Sequence, residues 1–142
     1  MTEPLLVSEQ NTYSHRWAVV ADEGASVWLY LTEPNGQRPV ADCWLLNTVP
    51  APEHVESYRA SKAPPPATRQ FADANAQAPV PGETAVRFQW SEDGESVAVI
   101  IAGEVLGFIA SGQKRGFSRH LSAEGPFGSP FDETLYGRLF KP

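Results

Sequence analysis

Thr84-Ala-Val-Arg-Phe-Gln-Trp90, Ser91-Glu-Asp-Gly94, Glu95-Ser-Val-Ala-Val-Ile-Ile-Ala102, Gly103-Glu104 and Val105-Leu-Gly-Phe-Ile-Ala110 run on without a break, and their reading decides the fold. Thr84–Trp90 alternates. Val86, Phe88 and Trp90 fall on one face and Arg87 and Gln89 on the other, the period-two pattern of a strand with one wet side. Ser91–Gly94 is turn chemistry. Glu95–Ala102, apolar at six successive positions, marks a central strand, and Gly103-Glu104 is a tight hairpin into Val105–Ala110. Connections this short join antiparallel neighbours, so the segment reads as a meander.

The same plan appears upstream. Trp17–Ala21 is a strand, Asp22-Glu-Gly-Ala25 a turn, Ser26–Thr32 a second strand, Glu33-Pro-Asn-Gly36 a turn, and Val40–Asn47 a third strand. In Ser26–Thr32, Val27, Leu29 and Leu31 share one face while Trp28 and Tyr30 share the other. Both faces are apolar, so both require a cover. Asp22-Glu-Gly-Ala-Ser-Val27 and Glu92-Asp-Gly-Glu-Ser-Val97 align with Gly, Ser and Val identical and the two leading acids exchanged. An internal duplication and two turns of similar chemistry both account for this, and so short a match favours the second.

Between the meanders lies 49–83, an excursion with prolines at 50, 52, 64, 65, 66, 79 and 81. Two short helices are expected in it. One starts at Pro52, turns Val55 and Tyr58 inward, and ends near Lys62 before Pro64; the other, Arg69–Gln77, is capped by Thr68. At the C-terminus, Ser129 as cap, Pro130 at the first helical position and Asp132 at the third predict a helix. Phe131, Leu135 and Leu139, with Tyr136 and Phe140, would pack on a sheet. The expected fold is therefore mainly β (α+β): antiparallel meanders forming a sheet, sandwich or partial barrel with a C-terminal helix. It is a single domain over residues 1–142.

Composition supports that class. The 142 residues include 11 Gly and 13 Pro, about one residue in six against roughly one in eight in average usage. Eleven Lys and Arg oppose 17 Asp and Glu, a net charge of -6. That balance argues against a general nucleic-acid binder, which carries a basic footprint. Val97–Ala102 is far short of a membrane span, which takes roughly 20 apolar residues. The N-terminal stretch has no basic residue ahead of Leu5-Leu6-Val7 and does not read as a signal peptide, so the cytoplasm is the expected compartment.

Chemistry is sparse. His15, His54 and His120 lie far apart with no second ligand at metal spacing, so no metal site is expected. Cys43 sits between Asp42 and Trp44 in an apolar strand, the setting of a packing cysteine rather than a nucleophile. No phosphate loop is present, and Ser118, His120 and Asp132 lack the nucleophile elbow of a hydrolase. No catalytic residue and no cofactor is assigned. One basic cluster stands out, Lys114-Arg115-Gly-Phe-Ser-Arg119-His120. It reads as an anion site on one view and as a solvated loop paired with neighbouring acids on the other; the second is the commoner role of a charge run.

Taken in order, several stretches resemble a family of small bacterial proteins known only as a domain of unknown function. They are Val19-Val-Ala-Asp-Glu-Gly24, Val27-Trp-Leu-Tyr30, Ala41-Asp-Cys-Trp-Leu-Leu-Asn-Thr-Val49, Trp90-Ser-Glu-Asp-Gly94, the hairpin through Gly103, and Lys114-Arg-Gly-Phe-Ser-Arg119. The resemblance carries no activity and no catalytic residue. The functional expectation is a non-catalytic protein-binding module, of which an immunity or antitoxin protein neutralising a basic toxic enzyme is one instance. Asp22, Glu23, Glu92 and Asp93, acids in exposed turns, would meet the partner. The alternative is a small-molecule-binding or enzymatic domain with a cleft near Arg115, Arg119 and His120, helped by Lys114. A partly apolar pocket holding those groups would favour the alternative, and an acidic surface with exposed aromatics the first reading.

Overall fold

The computed structural model describes residues 5–58 and 63–140. Strands β1 (Leu6–Gln10), β2 (Trp17–Asp22), β3 (Ser26–Thr32) and β4 (Pro39–Asn47) pair in chain order as one antiparallel sheet. Strands β5 (Val86–Trp90), β6 (Val97–Ile101), β7 (Glu104–Ile109), β8 (Phe117–Ser118) and β9 (Ser129–Pro130) form the second, antiparallel except for the β8–β9 pair. Helix α1 (Glu133–Leu139) follows. The two meanders thus lie where the alternation and turn signals put them. Neither sheet closes into a barrel.

The sheets face each other across one apolar core. Val20, Leu29, Cys43 and Leu45 from the first sheet meet Val97, Val99 and Ile109 from the second, all fully buried. Each sheet also has an apolar outer face, and each is covered. Trp28 and Trp44 lie beneath Ala67, Ala76, Leu121 and Phe127, so β3 is enclosed on both sides as its sequence requires. On the other sheet, Phe108 packs against Phe117, Phe131, Tyr136 and Phe140 with ring centroids 4.8–5.8 Å apart. Leu135 and Leu139 of α1 complete that cluster.

The flank where the sheets meet is sealed by residues 114–116. Asp42 N–H donates to the Lys114 carbonyl (3.0 Å) and Gly116 N–H donates to the Asp42 carbonyl (2.8 Å), which covers the outer edge of β4. The approach is close enough to demand glycine. A Cβ on Gly116 would lie 2.5 Å from Cys43 Cβ, and one on Gly107 2.8 Å from Cys43 Sγ.

Further along β4, Asn47 is fully buried and binds the proline-rich excursion. Its Oδ1 accepts from Trp44 Nε1 and from Ala67 N–H, both at 2.9 Å, and its Nδ2 donates to the Ala67 carbonyl at 2.9 Å. Its backbone N–H donates to the Ala76 carbonyl, and its own carbonyl accepts from Ala78 N–H.

Several local expectations are corrected. The first excursion helix is a short 3₁₀ turn at Val55–Tyr58; the Arg59–Lys62 part of that expectation lies outside the described residues. Arg69–Gln77 is not a helix. Phe71 and Ala72 N–H return to the Thr68 carbonyl for one turn, after which Asp73 Oδ1 accepts from Asn75 N–H and turns the chain away. With Phe71 as its one large apolar residue, the segment lacks the stripe that would hold a helix against a sheet. Helix α1 begins later than expected. Asp132 is the cap, its Oδ1 accepting from Leu135 N–H at 2.9 Å, while Ser129 and Pro130 pair with β8. Strands β1, β8 and β9 have no counterpart in the sequence reading.

The two matching turns share chemistry but not geometry. The first closes tightly, Glu23 N–H donating to the Ser26 carbonyl, and sets Asp22 opposite Val27. In the second, Ser91 N–H donates to the Ser96 carbonyl and Trp90 faces Val97, so the loop is longer. The hairpins also occupy different places, the middle of one sheet and the edge of the other.

Two outcomes test this architecture. Amide exchange is expected to be slowest in Val97–Ile101, the strand flanked by β5 and β7; native-state exchange that finds it unprotected would contradict the pairing. Asn47→Ala leaves Trp44 Nε1, Ala67 N–H and the Ala67 carbonyl without their partner. It should cost about 3 kcal/mol in urea unfolding, with loss of protection around Ala67 and Ala76.

Candidate functional site

The basic cluster is dispersed by its own contacts. Arg115 Nη1 donates to both carboxylate oxygens of Asp42, at 2.8 and 2.9 Å, and so turns toward β4. Arg119 turns toward α1: Nε donates to the Val105 carbonyl at 2.7 Å, Nη1 reaches Glu133 at 3.1 Å, and the guanidinium lies 3.9 Å from the Phe131 ring centroid. His120 Nδ1 sits 3.4 Å from Asp73 in the excursion. Lys114 borders a hollow of about 290 Å³ beside the Arg16–Glu95 ion pair. No cleft among the described pockets holds Arg115, Arg119 and His120 together. The cluster ties three neighbouring elements to one loop.

The acidic turns separate into two pairs. Glu92 and Asp93 lie where the 91–94 turn meets the β1–β2 connection, linked there by the Arg16–Glu95 ion pair at 2.7 Å. Asp22 and Glu23 lie at the other end of β2, so the four acids do not form one patch. In the first turn Asp22 Oδ1 accepts from Gly24 N–H, and Glu23 Oε2 accepts from the Tyr30 hydroxyl at 3.0 Å. In the second, Asp93 Oδ1 accepts from Glu95 N–H and the Ser91 hydroxyl, which hold its carboxyl below the usual carboxylate range. Glu92 has no hydrogen bond or ion pair among the described residues.

Glu92 and Asp93 border an open cleft of about 970 Å³ with Tyr13, Trp90 and Arg138. Tyr13 is 75 % exposed, the most exposed large apolar side chain among the described residues. Trp90 Nε1 donates to Glu9 Oε2 at 2.7 Å, adding a third acid nearby. The turn chemistry of Ser91–Gly94 marked these acids as exposed. Tyr13 was legible only as one aromatic residue in a polar stretch, with nothing local to say that it would stand beside residues 90–93.

A second concavity, about 390 Å³, lies on the outer face of the first sheet. Trp28 and Tyr30 line it, their rings 6.5 Å apart and within 13° of parallel. Pro64, Pro65 and Phe127 form its walls, and the Asp42–Arg115 pair stands at one end. Burial, followed by the nearby Glu23 and Asp42 charges, pushes the Tyr30 hydroxyl well above the usual phenol range.

No group of three or more His, Cys, Asp or Glu among the described residues is placed to hold a metal ion. Cys43 is buried, and desolvation, with Asp42 adding to it, holds the thiol far above its ordinary range. The Ser118 hydroxyl is buried with no partner among the described atoms. No helix among the described residues is long and apolar enough to cross a membrane.

Cys43 should react with a thiol reagent only at the rate of unfolding; fast labelling of the native chain would contradict its burial. Asp93 yields a pH test. Its folded-state pKa is depressed, so its contribution is present above the unfolded value, near 4, and is lost as the pH falls through the folded one. Asp93→Asn should leave stability at pH 7 within about 1 kcal/mol and flatten its decline on the acid side, because the exposed carboxylate is screened.

No family model matches the chain, no curated protein matches its sequence, and no solved structure matches its fold.

Proposed function

We propose that the chain is a non-catalytic protein-binding module that meets a basic partner. An immunity or antitoxin protein that neutralises a basic toxic enzyme is the instance its charge fits best. One observation carries the reading: Glu92, a carboxylate without a structural partner among the described residues, shares an open cleft with the exposed Tyr13 ring. Rim acids steer a cationic protein, and an exposed aromatic supplies the apolar anchor that charge alone does not. The net charge of -6 acts in the same direction at longer range. A cytoplasmic setting and membership of the bacterial family that the sequence resembles belong to this proposal. The alternative, a ligand-binding or enzymatic cleft, relied on Arg115, Arg119 and His120 converging, and each of these is engaged with a different element.

The test uses the intact chain as bait in host lysate, in low salt and in about 0.5 M salt, where exposed charges are screened. A captured protein is then purified for kinetics. Glu92→Lys should slow association about fivefold at low salt and flatten its salt dependence, with dissociation little changed. Tyr13→Ala should speed dissociation about fivefold. Glu92 is the informative acid, because reversing Asp93 would also break the turn that its carboxylate holds. Unchanged rates in both variants would remove this cleft from the interface.

A further inference from the structure

We propose that the groove beside Trp28 and Tyr30 is a second binding site, and that it receives one arginine or lysine side chain of a partner polypeptide. It shares no lining residue with the cleft at Tyr13 and Glu92. Its volume, about 390 Å³, falls within the roughly 300–1,000 Å³ of small-ligand pockets.

The chemistry of the walls selects the occupant. Pro64, Pro65 and Phe127 offer apolar surface of the kind an aliphatic stem covers while its charged head stays polar. The half-buried Tyr30 ring, near-parallel to the buried Trp28 ring beside it, adds a π-face, which attracts a cation and not an anion.

Charge at the polar end points the same way. Asp42 and Glu23 flank the Tyr30 hydroxyl, and Arg115 is the one cation among the described residues that line the groove. Glu23 is already engaged with that hydroxyl through Oε2. Asp42 has room for a second donor, since a carboxylate offers about four lone-pair positions and Arg115 Nη1 occupies two. Arg115 is 54 % exposed in its side chain, so it can swing aside. It is therefore a resident competitor for Asp42, occupying the place an incoming guanidinium or ammonium would take.

Capped tripeptides acetyl-Gly-X-Gly-amide, with X as Arg, Glu or Leu, are titrated into the intact, isotope-labelled chain. The Trp28 indole N–H, fixed by its 2.8 Å bond to Ser26 Oγ, and the Tyr30 and Asp42 amides report binding by NMR. The Arg peptide should shift all three saturably, and the Glu and Leu peptides should not at equal concentration. Asp42→Asn should weaken the Arg peptide at least threefold or so, and Glu23→Gln, which spares the ion pair, should weaken it about twofold. Arg115→Gln should tighten it by about threefold, because the competitor is gone. That sign is decisive: a groove built for an anion would lose its ligand in the same variant. Shifts as large with the Glu or Leu peptide, weaker Arg-peptide binding in Arg115→Gln, or no groove shift with any probe would each overturn the proposal. Glu92→Lys should leave this titration unchanged, so failure at the cleft and failure at the groove are read separately.

Discussion

Asn47 is the polar point on which the outer layer of the molecule depends. A sheet whose outer face carries Trp28 and Trp44 needs an apolar cover, and the available cover is an irregular, proline-rich segment without a ladder of its own. Irregular backbone against a buried face leaves donors and acceptors stranded unless something pairs them. Asn47 does so with both ends of its amide at Ala67 and with its backbone at Ala76 and Ala78. It also satisfies Trp44 Nε1, which would otherwise be a buried orphan. Each of these groups costs about 1–3 kcal/mol if left unpaired, so one side chain decides whether the excursion lies down on the sheet.

The strands were legible because their signal is local. Period-two alternation and acid–Gly turns located the edges of β2 to β7 to within a residue or two. The two-sided apolar character of Val27–Leu31 foretold that both of its faces would be covered. What the sequence hid was long-range. Strands β8 and β9 are two residues each, too short for any period, and are defined only by pairing with β7 and with each other. The expected helix at Arg69–Gln77 failed because small residues such as Ala72 and Ala76 suit a helix in isolation but here serve as thin spacers beneath which aromatic rings lie. The acids of the 91–94 turn were readable as exposed; their division from Asp22 and Glu23 by the full length of β2 was not, because separation across a sheet leaves no mark in local sequence.

The basic loop shows how burial changes the meaning of a charge cluster. Three of its four members each hold a different element: Arg115 the outer edge of β4, Arg119 the start of α1, and His120 the excursion. Arg119 sits over the Phe131 ring while its Nε serves the Val105 carbonyl, a use that a flexible ammonium could not reproduce. Placed between β7 and β9 in the chain, the loop reaches β4, α1 and the excursion, and glycine at 116 lets it pass against Cys43. Its charges are fastenings first.

A proline-rich cover has a further consequence for the surface it leaves behind. Pro64, Pro65 and Pro66 bring no N–H to satisfy, so they can rest against an aromatic face without demanding partners from it. Each ring also pushes the residue before it out of the helical region, so the run cannot coil into a helix broad enough to roof the whole face. The cover therefore seals Trp44 completely while Tyr30, two positions along the strand from Trp28, stays partly open. An aromatic face roofed by helix would present only the helix's outer side to solvent. Roofed by prolines pinned at Asn47, it keeps a seam. The seam runs past Tyr30 to Asp42, because Tyr30 and Asp42 are direct cross-strand partners in β3 and β4. The groove is thus a product of the same constraint that fixes the outer layer: the segment that can bury Trp44 without stranding its own backbone is too irregular to bury Tyr30 as well.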